Sequence, residues 1–211
     1  AFEQQGLFLG HRGPVFTAAF SSDGTLVASG GFDKVVCVWD PIEAEAINLE
    51  EELTANGRAR RSSAIRLDGH EGPVRSVTFA SGEPLLLSAG YDNTLRLWNL
   101  EEGKLLKTIR GHGSRVEEAA LSPDRKCAVS ASQDQTVKVW DVGRYTESQV
   151  LGARHLKGHA DAILDARFSP DGSQVLTASR DRSARQWDAE TGSLTATFKE
   201  GHDYLTSAGR F

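Results

Sequence analysis

Short runs in which apolar and polar side chains alternate recur along the whole chain, each bounded by Gly, Pro, Ser, Asn or Asp. A period of two places alternate residues on opposite faces of an extended backbone, so each run predicts a half-buried β-strand. The first such runs are 15–20, 26–30 and 35–40, followed by 74–79, 85–90 and 95–100. Turn-forming sequences separate them, as in Ser21-Ser22-Asp23-Gly24 and Ser169-Pro170-Asp171-Gly172. A further short apolar run precedes each Gly-His dipeptide, at 7–9, 64–67, 105–109, 149–156 and 194–198. No apolar pattern of helical period and helical length falls inside these units, so the expectation is all-β with four strands per unit.

The units are copies of one another. Gly-His occurs at 10–11, 69–70, 111–112, 158–159 and 201–202. Landmarks return at fixed offsets after each of the first four His residues. Ser29, Ser88, Ser130 and Thr177 come 18 residues on; Asp33, Asp92, Asp134 and Asp181 come 22 on; Trp39, Trp98, Trp140 and Trp187 come 28 on. All four tryptophans and five of the six histidines fall in this pattern, with His155 outside it. The repeat units are therefore 10–68, 69–110, 111–157 and 158–200, with a partial fifth from 201 and extra residues at 41–63 in the first. One such sheet cannot bury both its faces alone, so the units must stack. Ser, His and Asp together suggest a nucleophile, a base and an orienting acid. A catalytic constellation is built once in one cleft, however, whereas this one recurs in every unit, so His11, His70, His112 and His159 and their companions read as structural.

The Gly-His…Trp-Asp unit resembles the WD (WD40) repeat of β-propellers. The resemblance covers residues 7–211, with Trp98-Asn99 in place of Trp-Asp and Leu121 where the other units have Phe20, Phe79, Phe168 and Phe211. It implies a WD40-type propeller of four complete four-stranded blades plus partial flanking strands. It also implies a buried hydrogen-bond chain in each blade, from the Trp indole to the Ser or Thr hydroxyl, then to His and to the turn Asp. A seven-bladed ring at roughly 42 residues per unit needs about 300 residues. The expectation is thus a fragment of a longer propeller whose missing blades lie elsewhere, or a piece that closes by self-association.

Family resemblance further points to three positions per blade at one end: the third and fifth residues after His, and the residue before the turn Asp. Here these are Pro14, Phe16 and Phe32; Pro73, Arg75 and Tyr91; Arg115, Glu117 and Gln133; Ala162, Leu164 and Arg180. Aromatic residues beside Arg form the composition of an interaction hot spot. Phe16, Phe32, Arg75, Tyr91, Arg115, Gln133, Leu164 and Arg180 are the candidate partner-binding set, for a protein or peptide carrying acidic groups near the arginines. The expected function is a non-catalytic interaction scaffold. Alternatives are a docking or sensor segment of a larger signalling enzyme such as a kinase, and a propeller enzyme; flanking kinase motifs or a non-repeating carboxylate pair would distinguish them.

Composition narrows the chemistry further. With 211 residues, 39% of them hydrophobic, the chain can build a substantial core. A net charge of −5 gives no electrostatic case for binding nucleic acid or an anionic membrane. Cys37 and Cys127 lie 90 residues apart without paired spacing, so neither a disulfide framework nor a zinc site is expected, and a reducing, cytoplasmic setting follows. No metal or cofactor is expected, and His155 reads as a solvated loop residue. Three places depart from the repeat. Cys37 stands where Arg96, Lys138 and Arg185 stand in the other units, and Ala184 and Gln186 replace larger apolar residues in the fourth. In the insertion, Asp40-Pro41-Ile42-Glu43 reads as a helix start, with Ile42, Ala46, Leu49 and Leu53 at helical spacing.

Overall fold

The structure, a computed structural model, describes residues 10–41, 65–143 and 153–199. The run expected at 7–9, the body of the helix expected in 41–63 and the unit begun at 201 lie outside the described residues. The chain forms four antiparallel four-stranded sheets, each with its strands in sequence order. Sheet 1 contains β1 (Val15–Phe20), β2 (Val27–Gly31), β3 (Val36–Trp39) and β4 (Ile65–Leu67). Sheet 2 contains β5 (Val74–Phe79), β6 (Leu85–Gly90), β7 (Thr94–Asn99) and β8 (Lys104–Arg110). Sheet 3 contains β9 (Val116–Leu121), β10 (Cys127–Ser132), β11 (Val137–Asp141) and β12 (Ala153–Leu156). Sheet 4 contains β13 (Ile163–Phe168), β14 (Gln174–Ser179), β15 (Ala184–Asp188) and β16 (Leu194–Phe198).

Local chemistry sets the turns. Between the first two strands of a sheet, Asp23 and Asp171 each accept bonds from a Ser hydroxyl two residues back and from the amide two residues on. Gly24 and Gly172 follow these acids with φ of 72° and 75°, a left-handed conformation that costs glycine little. After the Trp strand, Asn99 accepts the amide of Glu102 at 3.1 Å, and Asp188 accepts that of Thr191 at 2.7 Å. Asn in place of Asp thus performs the same capping.

The sheets stack in sequence order, and the first strands β1, β5, β9 and β13 lie side by side. Three apolar clusters occupy the junctions between neighbours. Ala28, Val36, Val38 and Leu67 of sheet 1 meet Val74, Val77, Leu86 and Trp98 of sheet 2. Leu87, Leu95, Leu97 and Ile109 meet Val116, Ala119 and Trp140 across the next junction, and Val129, Val137, Val139 and Leu156 meet Ile163, Val175 and Trp187 across the last. The architecture is that of consecutive propeller blades in an unclosed arc. Val74, Val116 and Ile163 are fully buried by a preceding sheet, whereas Val15 at the same place in sheet 1 is 51% exposed.

Candidate interaction face

Each sheet carries the same hydrogen-bond chain. In sheet 2 the Trp98 indole donates to Ser88 Oγ at 2.8 Å, Ser88 Oγ lies 2.7 Å from His70 Nε2, and His70 Nδ1 lies 2.8 Å from Asp92. Sheet 3 repeats these three distances with Trp140, Ser130, His112 and Asp134. Sheet 4 gives 2.9, 2.8 and 2.8 Å with Trp187, Thr177, His159 and Asp181. Sheet 1 gives 3.0, 2.9 and 2.9 Å with Trp39, Ser29, His11 and Asp33. One proton assignment satisfies the whole chain: the hydroxyl accepts from indole and donates to Nε2, and Nδ1–H donates to the carboxylate. Burial, the largest influence, raises the carboxyl pKa of Asp92, Asp134 and Asp181, but the bonds donated to each outweigh it and hold all three well below the usual range. Burial is also the main influence on His159 and pushes its pKa down, against the opposing pull of Asp181.

The same Asp residues gather partners beyond those the repeat pattern singled out. Each accepts the amide of the residue after His, at 2.8 Å from Arg12, 3.0 Å from Glu71, 2.9 Å from Gly113 and 3.0 Å from Ala160. Thr94, Thr136 and Ser183 hydroxyls, two residues beyond Asp, donate to three of them at 2.8, 2.6 and 2.6 Å. Arg96 and Arg185 stand 3.9 and 3.8 Å from Asp92 and Asp181. The signal was present in the sequence as a recurring Asp-x-Thr/Ser-x-Arg/Lys spacing. Sheet 1 has Val35 and Cys37 there instead, and burial pushes the Cys37 thiol up to about 11, followed by the nearby Asp33 charge.

These chains tie the loop before the first strand to the turn before the third, so both open at one end. In every sheet the residue before the turn Asp donates its amide to the carbonyl of the third residue after His. The distances are 2.8 Å for Phe32 to Pro14, 2.9 Å for Tyr91 to Pro73, 3.0 Å for Gln133 to Arg115 and 2.9 Å for Arg180 to Ala162. Between them sits a β-bulge. Pairing jumps from Val15 to Thr17, Val74 to Ser76, Val116 to Glu118 and Ile163 to Asp165, leaving Phe16, Arg75, Glu117 and Leu164 unpaired. A bulge re-aims the extra side chain out of strict alternation. That is how the fifth residue after His joins the other two positions.

Side chains of the candidate set then form three groups. Phe16 and Phe32 meet edge to face with centroids 6.3 Å apart, and are 39% and 58% exposed. Arg115 of sheet 3 lies over the Tyr91 ring of sheet 2, 4.6 Å from its centroid. Arg75 Nε and Gln133 Nε2 both reach the carboxylate of Glu117, at 3.3 and 2.5 Å. Arg180 is exposed and Leu164 half-buried at the matching places in sheet 4. Glu117, whose side chain is 6% exposed, is one of four face positions outside the partner-binding set, with Pro14, Pro73 and Ala162; only the fold reveals that it holds two of the set. Ala184 and Gln186 are half-buried, and the Gln186 amide donates to Gln174.

Cys37 is buried and Cys127 half-buried. Among the described residues no group of three or more His, Cys, Asp or Glu could hold a metal ion, and no helix is long and apolar enough to cross a membrane.

Comparison with known proteins agrees with the geometry. The family described as WD domain, G-beta repeat matches residues 2–40, 61–99, 103–141 and 153–188. Protein hir1 of Schizosaccharomyces pombe is 32% identical over 141 residues, covering 64% of this chain and 15% of that protein. Protein tipD of Dictyostelium discoideum is 32% identical over 133 residues, 63% of this chain and 19% of the relative. Serine-threonine kinase receptor-associated protein of Gallus gallus is 32% identical over 147 residues, 69% of this chain and 37% of the relative. The chain therefore spans well under half the length of each of these relatives. Four matched repeats, four like sheets and one hydrogen-bond chain in each lead to a single conclusion: the chain belongs to the WD-repeat family of β-propeller proteins.

Proposed function

We propose that the chain is a non-catalytic scaffold that binds a protein or peptide partner through the end formed by the Gly-His loops and Asp turns. The observation that carries this reading is the convergence, in all four blades, of three side-chain positions onto one end, while the strands are consumed by packing. The Ser, His and Asp of each blade support a structural role. Each hydroxyl is held between an indole N–H and an imidazole, and Ser88, Ser130 and Thr177 are fully buried, so none is presented to a substrate. The Gallus gallus relative is named for its association with a serine-threonine kinase receptor. We place the scaffold in a reducing, intracellular setting, a reading supported by a sequence whose two cysteines lie 90 residues apart without paired spacing.

The test is capture of partners by the full-length protein, followed by calorimetric titration of variants against the captured partner. Tyr91→Ala, Arg115→Ala and Arg180→Ala are each expected to weaken binding by about 1–2 kcal/mol, or roughly five- to thirtyfold, at unchanged melting temperature. Wild-type affinity in all three would overturn the assignment of this face.

A further inference from the structure

Glu117 is the one acidic residue among the twelve face positions, and the fold uses it in a particular way. The bulge in β9 turns its side chain out of the strand alternation, yet the carboxylate is 6% exposed. One oxygen accepts from Gln133 of its own blade at 2.5 Å, and the other faces Arg75 Nε of the preceding blade at 3.3 Å. Arg75 is 41% exposed, so the guanidinium is reachable from outside but already compensated from beneath. Arg115, one blade over, is instead stacked on Tyr91.

We propose that Glu117 is an internal anion that occupies Arg75 and so sets which acidic partners the face accepts. The inference rests on the interaction-face reading above and deepens it. A carboxylate approaching the face meets Arg115 on Tyr91 and Arg180 as exposed cations. At Arg75 it must compete with Glu117, which lies closer and is desolvated, conditions under which a charge pair is strongest. Glu117 is thus a specificity-determining residue: it steers a partner's acidic group toward the Tyr91–Arg115 stack and lowers the affinity of the face for indiscriminately acidic chains. A carboxylate placed under the face also repels every further negative charge on the partner, a device that discriminates by disfavouring the wrong ligand.

Glu117→Gln tests this directly. The amide keeps an acceptor for Gln133 but turns an N–H toward the Arg75 N–H, so the guanidinium loses its nearest carboxylate at nearly constant volume while the more distant Glu118 charge stays in place. The probe is a set of short synthetic peptides graded in Asp and Glu content, titrated against the full-length protein. E117Q is expected to bind acid-rich peptides roughly fivefold more tightly, the scale of one partly screened charge at this range, and neutral peptides as wild type does. A merely structural loosening would move both peptide classes alike. In a double-mutant cycle, R75A costs more affinity for acid-rich peptides in the E117Q background than in wild type and removes the gain. If E117Q melts at a lower temperature, E117D carries the test: it is one methylene too short to reach both partners, and a smaller gain of the same sign is expected. No gain in either variant, with Tyr91→Ala and Arg180→Ala still weakening binding, overturns this inference and leaves the interaction face standing. Wild-type affinity in Tyr91→Ala, Arg115→Ala and Arg180→Ala alike overturns the face, and the inference with it.

Discussion

A Ser or Thr hydroxyl suits the middle of the chain from Trp to Asp because it alone both accepts from the indole and donates to the imidazole. Alanine there would leave two buried groups unmatched. The terminal Asp carries the largest number of bonds. It also stabilises an unfavourable turn, because the residue after it has positive φ in every blade: 70° at Lys34, 65° at Asn93, 67° at Gln135 and 64° at Arg182. None of these is glycine and only Asn93 is of a type that adopts this conformation readily, so at Lys34, Gln135 and Arg182 the left-handed backbone is held by its surroundings rather than by local preference. Asp134 ties that turn to His112, to the Gly113 amide and to the Thr136 hydroxyl. Asp134→Ala strands these donors and is expected to cost about 1–3 kcal/mol. Urea titration checks it, and a midpoint equal to wild type would sink the network account of that blade. Asp33 holds a sparser set, with no hydroxyl or cation from Val35 and Cys37, so Asp33→Ala is expected to cost less in the same measurement.

At the scale of elements, period and turn chemistry placed the strands well, several of them to the residue. The boundaries that moved did so by a residue or two at frayed ends, as in 26–30 against Val27–Gly31. The outer strand expected at 149–156 is described only as Ala153–Leu156. The bulge was not legible, because alternation alone assigns Arg75 and Glu117 to a regular strand face. The glycine of Gly-His has an explanation the repeat could not supply. Gly111 has φ of 147°, and a Cβ added there would lie 3.0 Å from the Trp140 ring. Gly69 and Gly158 are equally crowded, with Arg96 and Arg185 in the way. The loop must pass over the indole edge that the hydrogen-bond chain positions. Gly111→Ala is therefore expected to destabilise by more than about 1 kcal/mol in the same titration, through strain rather than lost burial. An Ala variant as stable as wild type would mean that the loop moves freely aside.

On the scale of the molecule, stability comes from clusters that no single unit owns. Each takes the trailing face of one sheet and the leading face of the next, so blades cooperate with neighbours in the manner of repeat proteins. Titration reports this assembly as well as its parts. His159 folds with a pKa below its ordinary 6.5, so the unfolded chain takes the proton first and stability begins to fall as pH drops through that value. Asp92, Asp134 and Asp181 fold with pKa values below their ordinary 3.8, so their contribution is complete above that value and is lost as pH falls further. Stability should thus decline on acidification in two stages, a shallow one below about pH 6.5 and a steep one below about pH 4. Chemical denaturation at a series of pH values measures it; a profile that is flat or rising from pH 7 to 3 would contradict the protonation states assigned to the chain.

The sequence by itself determined the repeat and the four-stranded unit, which follow from local period and fixed spacing that any one unit encodes and four units repeat. The partners in each Trp–Ser/Thr–His–Asp chain and the end of the molecule toward which its loops lead were implied by the resemblance of that repeat to the WD repeat. Only the tertiary structure decided what the candidate residues do to each other. It stacked Arg115 on Tyr91 across a blade junction, and it bound Arg75 and Gln133 to a Glu117 that the bulge had re-aimed. Of three arginines that looked alike in sequence, it left one compensated, one stacked and one exposed. Charge on a face depends on which side chains the packing of neighbouring sheets brings within reach, and distance between blades is not written in the spacing within them.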